Sequence, residues 1–324
     1  MRRPLADKRP LGPLFGESGD TIQSRLTDDV RSDMEFEEGG SVKVYFHSST
    51  DMRELNINDV SLFVTSPPYN VGYNYGSYED KLGYDEYMSL LAEVFTEAYK
   101  KLRPEGKLCI NIPAILKGPG KVGENHIAMA SDVVQLIDSR RELAGSKFDT
   151  PEINKFQNYT DFRLFETIVW NKGRLGTERP LGSLPRPFRF EQEITHESIL
   201  VFQKPGTRNF STMSDQRKKA SELEKPEYSH TTGDVFDTTL KDSVWNIQPS
   251  NPVTLDGEKT PVFPIELPRR LIKAYSFVGD IVVDPFAGAG TTMRAAKELD
   301  RLSVGYEKRS EMKPKIKERV GEKI

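Results

Sequence analysis

Two stretches of this 324-residue chain carry residue types that could do chemistry at their spacing. The first is Thr65-Ser66-Pro67-Pro68-Tyr69-Asn70, directly behind the apolar run Leu62 to Val64. Each proline lacks an N–H and fixes φ near −65°, so the segment is stiff and extended and its carbonyls stay free as acceptors. Ser66 adds a hydroxyl and Tyr69 an aromatic face. Such a loop suits a planar substrate bearing an amino group, with Ser66 and the Pro67 carbonyl accepting the amine hydrogens, Pro68 rigidifying the loop and Tyr69 stacking on the ring. The second stretch runs from Asp284 through Phe286, Gly288 and Gly290 to Thr291 and Thr292, behind the apolar Ile281 to Val283. Its glycines allow a sharp turn and close approach of a ligand, and the threonines open a helix whose free N–H groups face that ligand. Glu307, 23 positions beyond Asp284, ends the next apolar run, where a carboxylate can accept from ribose hydroxyls. The spacing fits an adenosine-type nucleoside. Only one G-x-G is present and no P-loop lysine follows, so phosphate binding is disfavoured.

The elements that position these residues alternate. Val42 to Ser49 reads as a strand, and residues 84 to 103 place Tyr87, Leu90, Leu91, Val94, Phe95, Ala98 and Leu102 on one helical stripe. The helix stops at Pro104–Gly106, and the apolar strand KLCINI follows. Near-continuous apolar strands separated by helices predict a parallel sheet covered on both faces. A further helix is expected around residues 131–143. FETIVWNK (165–172) and HESILVFQK (196–204) read as two more strands, antiparallel to each other. PIELPRRLIKAYS reads as a helix, LSVGYE as a strand and the C-terminal residues as a charged helix. Residues 1–40 read as a mobile extension.

Composition removes several alternatives. With 36% hydrophobic residues the chain can bury a core, and no apolar run is long enough to span a membrane or serve as a secretory signal. The single cysteine, Cys109, excludes an internal disulfide and a cysteine-built zinc site, and the four histidines lack metal-ligand spacing. Cys109 lies in an apolar strand and reads as a buried residue, which rejects chemistry through a cysteine nucleophile. Net charge is −3, but Lys172, Arg174, Arg179, Arg186 and Arg189 face only Glu178 within their segment. That local excess suits phosphate contacts. The run Arg217 to Lys219 reads as plain surface, and Trp170 and Trp245 as core.

These motifs, in this order, resemble the amino-methylating DNA methyltransferases of the permuted β arrangement. There a Ser/Asp/Asn-Pro-Pro-Tyr/Phe motif precedes the F-x-G-x-G motif, as TSPPYN precedes DPFAGAGTT here. VGYE, IVWNK, HESILVFQK and FPIELPRRLI resemble further blocks of the family, and the likeness spans about residues 42 to 310. It implies an α/β Rossmann-like methyltransferase fold with an inserted target-recognition region and S-adenosylmethionine as cofactor. The implied cofactor residues are Asp284, Phe286, Gly288, Gly290, Thr291, Thr292 and Glu307, with Asp51 as an adenine-proximal acid; no metal is implied. The implied domain plan is an extension at 1–40, a catalytic part at 41–172, target recognition at 173–248 interrupted by strand 196–204, and a cofactor part at 249–324. The implied substrate is double-stranded DNA with the target base flipped out, in a prokaryotic cytoplasm or on its nucleoid, alone or beside a restriction endonuclease reading the same site. Within the family, Ser at the first motif position goes with cytosine N4 and Asp with adenine N6, so Ser66 points to cytosine. Adenine N6, a protein or RNA amine, and a catalytically dead DNA-binding regulator remain the alternatives.

Overall fold

The computed structural model describes residues 40–70, 82–117, 126–138, 150–173, 181–182, 190–191, 194–230, 238–255, 258–260 and 262–321. The expected N-terminal extension and four of the arginines of the basic segment (Arg174, Arg179, Arg186 and Arg189) lie outside them.

Eight strands form the central sheet. In chain order they are β1 (Val42–Tyr45), β2 (Val60–Thr65), β3 (Leu102–Ile112), β4 (Arg163–Asn171), β5 (His196–Gln203), β6 (Val244–Asn246), β7 (Ile281–Asp284) and β8 (Leu302–Tyr306). Their spatial order is β1-β8-β7-β2-β3-β5-β4-β6. Among the described strands of this sheet, only β5 runs against its neighbours, pairing antiparallel with both β3 and β4. The other pairings are parallel. The antiparallel relation of 165–172 to 196–204 read from the sequence is therefore present.

The apolar strands are explained by cover on both faces. Phe63, Leu108, Ile110 and Val283 point into one core with α1 (Tyr84–Lys101), α2 (Met129–Ile137) and α3 (Pro151–Tyr159). Their sequence neighbours Leu62, Val64, Cys109 and Val282 point into the other, with α5 (Glu266–Tyr275) and α6 (Thr291–Glu298). Period-2 alternation along β2, β3, β5 and β7 thus feeds two cores. Of the stripe expected on α1, Tyr87, Leu91, Val94, Phe95 and Ala98 are buried, and Leu102 begins β3. Helix α2 ends at Ile137, short of the expected 143, and the structure describes nothing from 139 to 149. The charged tail forms α7 (Lys313–Val320), packed by Ile316 and Val320 against Ala287, Ala289 and Met293.

Two expectations are corrected. Arg217, on the short helix α4 (Asp215–Ala220), is buried, not plain surface. It donates to the Val278 carbonyl at 2.6 Å and to Asp280 at 2.7 Å, and Arg208 and Arg103 reach the same carboxylate at 2.9 and 3.2 Å. Burial by itself would raise the pKa of Asp280, but the three guanidiniums hold its carboxyl below the ordinary range. The stretch after Pro205 is thus anchored at the amino end of β7, where Asp280 precedes Ile281. Val244–Asn246, expected within the recognition region, is a strand of that sheet, paired with Val169–Asn171. Trp170 and Trp245 are both buried, as expected.

Candidate active site at the strand ends

The carboxyl ends of β2, β3, β7 and β8 meet at one edge, where open α/β sheets bind ligands. A cleft of about 400 Å³ opens there, inside the usual range for small-molecule sites. Ser66, Pro67, Pro68 and Tyr69 line it together with Asp284, Phe286, Gly288, Thr291 and Glu307. Residues more than 200 positions apart thus share one cavity.

The end of β2 delivers the Ser-Pro-Pro-Tyr loop because prolines cannot extend the ladder. Asn70 closes the loop in a left-handed conformation, φ 56°. Its side chain both donates to and accepts from the Leu82 backbone at 2.8 Å. On the other side, β7 ends in Asp284 and the chain turns through Gly288 (φ 52°) and Gly290 (φ 82°). Gly290 is the left-handed cap of α6 and packs against Ile316 and Met293 behind the cleft. Gly288 carries the wall itself.

Asp284 joins the two halves. It is buried and accepts from Thr65 Oγ1 at 2.8 Å, Thr292 Oγ1 at 2.7 Å and the Phe286 N–H at 3.1 Å. Burial pushes its carboxyl up to about 6 in spite of those three donors. Thr292, expected to touch the cofactor, instead spends its hydroxyl on Asp284 and is fully buried. Thr291 is on the wall.

Glu307 accepts from the Gly288 N–H at 2.8 Å through Oε2 and from the Arg309 N–H and Nε, both at 3.0 Å, through Oε1. A carboxylate oxygen accepts two hydrogen bonds, so Oε2 keeps one lone pair for a hydroxyl. Phe286, Val262, Phe263 and Tyr306 supply apolar wall. A nucleoside with a short charged tail fits this set: a turn whose Gly288 has only the Phe286 carbonyl within 4 Å of a notional Cβ, a spare carboxylate lone pair, and apolar surface for a base. S-adenosylmethionine has that composition. Asp51 is not on the wall; its carboxylate is held by Arg53 and is exposed. His47, Ser48 and Ser49, just before it, line the cleft instead.

The residues that the sequence reading passed over are Asn111 and Glu197. Asn111 Nδ2 donates to Glu197 Oε2 at 2.6 Å and to the Tyr69 hydroxyl at 3.1 Å. Tyr69 donates to Glu197 Oε2 at 3.0 Å, and Ser66 Oγ lies 2.9 Å from the Tyr69 oxygen. Lys172 pairs with Glu197 and lies 4.9 Å from the Trp170 ring centroid. The lysine assigned to phosphate contacts is therefore on the cleft wall with its ammonium on a carboxylate. Asn111 carried a signal, a polar residue between two isoleucines at the end of an apolar strand. Glu197 carried none: it is the second residue of its strand, after His196. Cys109 is fully buried, and burial pushes its thiol up, which leaves it inert. Among the described residues no cluster could hold a metal ion, and no helix is long and apolar enough to cross a membrane.

Comparison with known proteins bears on the family and the fold. Type II methyltransferase M.MthZI of Methanothermobacter thermautotrophicus is 28% identical over 292 residues, 87% of this chain and 77% of its own. M.MjaI of Methanocaldococcus jannaschii, also a type II methyltransferase, is 28% identical over 86% of this chain and 91% of its own. Among solved structures, the putative DNA modification methylase TTHA0409 of Thermus thermophilus, in complex with S-adenosyl-L-methionine, superposes with a TM-score of 0.59 at 23% identity, covering 86% of this chain and 94% of that one. PvuII DNA methyltransferase, cytosine-N4-specific, gives 0.55 at 17% identity, with 85% of each chain covered. These two likenesses establish the α/β Rossmann-like methyltransferase fold. The N6/N4 methyltransferase family model, described as DNA methylase, matches residues 60–318, and the chain belongs to that family.

Proposed function

We propose that this protein transfers a methyl group from S-adenosylmethionine to the exocyclic N4 amine of a cytosine flipped out of double-stranded DNA. The S–CH3 bond breaks as the N–CH3 bond forms, with S-adenosylhomocysteine leaving and the nitrogen giving up one proton to water. The observation that carries the reading is the placing of Ser66 and the rigid Pro67-Pro68 loop in one cleft with the Gly288 turn and Glu307. Bound there, the sulfonium cofactor supplies an already activated methyl group. What the chain must provide is a reactive nitrogen, since the amine lone pair is delocalised into the ring. Ser66 Oγ and the Pro67 carbonyl accept the amine hydrogens and draw the nitrogen toward tetrahedral geometry, a stabilisation that grows toward the transition state. Tyr69 has its hydroxyl tied to Glu197, which steadies the ring that stacks on the flipped base. Asp284 fixes the loop to the turn, so that amine and methyl donor are held in line.

Phe286, Gly288, Thr291 and Glu307 contact the cofactor in this reading. Asp284, Gly290 and Thr292 shape the turn from behind, and Asp51 has no direct role. The motif order, catalytic loop before cofactor turn, corresponds to the permuted β arrangement. Arg174, Arg179, Arg186 and Arg189 serve the DNA backbone within a recognition region covering much of 173–248. Relatives named type II methyltransferases support a place beside a restriction endonuclease reading the same site. Ser66 favours cytosine over adenine.

The test is methylation of unmethylated genomic DNA followed by mass analysis of the nucleosides. N4-methylcytosine is the expected product. N6-methyladenine would overturn the choice of base and leave the chemistry standing, and absence of both would overturn DNA as the substrate.

A further inference from the structure

Among the described residues, Tyr69 meets three side chains through its hydroxyl oxygen. It donates to Glu197 Oε2 at 3.0 Å, receives Asn111 Nδ2 at 3.1 Å and lies 2.9 Å from Ser66 Oγ. A phenol has one hydrogen to give and two lone pairs to receive with. Glu197 is buried and paired with the Lys172 ammonium. As a carboxylate it only accepts, so the Tyr69 hydrogen is committed to it. Asn111 is fixed in the same way. Its nitrogen faces both the Glu197 carboxylate at 2.6 Å and the Tyr69 oxygen at 3.1 Å, and an amide nitrogen only donates. In the contact between Ser66 and Tyr69 the serine must therefore be the donor. Ser66 has no hydrogen left to send into the cleft and presents lone pairs only.

We propose that Glu197 is a positioning residue that, through Tyr69, sets Ser66 as a pure acceptor for the amine of the target base. This rests on the amine-methylation reading above. A serine free to rotate could turn its hydrogen toward the amine nitrogen and engage the very lone pair that must attack. With its hydrogen tied back, Ser66 can only receive, and its hydrogen bond strengthens as positive charge grows on the nitrogen. Glu197 reaches the site because β5 is antiparallel. The first residues of that strand come to the edge where the parallel strands end, and Asn111 and Ile199 are register partners there.

The experiment compares wild type, E197Q, S66A and S66A/E197Q in single-turnover methyl transfer to unmethylated DNA. Calorimetry measures affinity for S-adenosylmethionine, and fluorescence anisotropy with S-adenosylhomocysteine measures affinity for duplex DNA. A glutamine amide can donate as well as accept, so E197Q releases the polarity while keeping the volume. We expect E197Q to slow transfer by roughly 30- to 100-fold, with both affinities within about threefold of wild type. In the S66A background the same change costs less than about threefold, because no serine remains to orient. The proposal is overturned if E197Q transfers within threefold of wild type, if its loss recurs in full on S66A, or if the affinities fall with the rate. Should E197Q not fold, Y69F breaks the same link and must show the same coupling to S66A. A wild type that methylates no DNA overturns the proposed function and this proposal with it, whereas an active wild type with uncoupled variants overturns this proposal alone.

Discussion

Thr65 Oγ1 donates to Asp284 Oδ1 at 2.8 Å, joining the residue before Ser66 to the residue that opens the cofactor turn. The two lie 219 positions apart, and both are buried. Their strands β2 and β7 are neighbours with Val282 opposite Leu62 and Val283 opposite Phe63, so Thr65 and Asp284 follow at the same edge. Replacing Thr65 by valine keeps the shape and removes the donor. We expect T65V to cost about 1–3 kcal/mol, and to weaken cofactor affinity and slow methyl transfer together. Calorimetry and single-turnover kinetics on the same variant check that joint effect.

Asp284 also makes stability depend on pH. Its carboxyl is raised from the ordinary 3.8 to about 6 by burial. Between those values the folded chain holds a proton that the unfolded chain has lost, so this group's contribution falls as pH rises and levels off above about 6. Two units correspond to roughly 3 kcal/mol. Urea titrations of wild type and D284N without cofactor, from pH 3.5 to 7, should show the wild type losing about that amount relative to the variant. Parallel curves would remove the buried charge from the account.

Asn111 Oδ1 is buried with no hydrogen-bond partner among the described residues, while the nitrogen of the same amide serves Tyr69 and Glu197. The isosteric change N111L removes both donated bonds. We expect about a 10- to 100-fold loss of methyl-transfer rate with cofactor affinity unchanged. A variant as fast as wild type would show that the amide only fills space.

Arg217 is expected to matter for folding and not for DNA. R217A strands part of the charge of the buried Asp280, although Arg208 and Arg103 remain beside it. A loss of about 2–4 kcal/mol in denaturant titration, with DNA affinity unaltered in anisotropy, is the expected pattern. Reduced DNA affinity in a fully folded variant would return this segment to the DNA interface.

Gly305 lies on β8, just before Tyr306 and Glu307. A Cβ there would lie 2.4 Å from Met293 Sδ and 3.0 Å from Ala287 Cβ. Met293 can give way, but Ala287 sits on the cofactor turn. G305A should destabilise by about 1–3 kcal/mol and raise the dissociation constant for S-adenosylmethionine. Unchanged affinity would show that the turn absorbs the methyl group without moving.

The sequence alone determined what is local. Strand alternation, the stripe on α1, the proline-stiffened loop after Val64 and the glycine turn after Asp284 are set within a dozen residues. Order along the chain then carried the family resemblance and the fold. Assignments made by motif position gave way wherever a side chain is already taken by a partner, near or far along the chain. Thr292 reads as a ligand contact until Asp284 is seen to hold it, Asp51 until Arg53 does, and Lys172 reads as a phosphate contact until Glu197 appears beside it. Arg217 looks like surface because only folding brings Asp280 beneath it.

Glu197 belongs wholly to the tertiary structure. In sequence it merely opens an apolar strand far from Ser66. Its place in the site follows from strand direction: β5 lies between β3 and β4 and runs against both, so its beginning meets their ends. Direction and neighbour order are decided by how the strands of one sheet are covered on both faces, a property of the whole sheet that no single segment encodes.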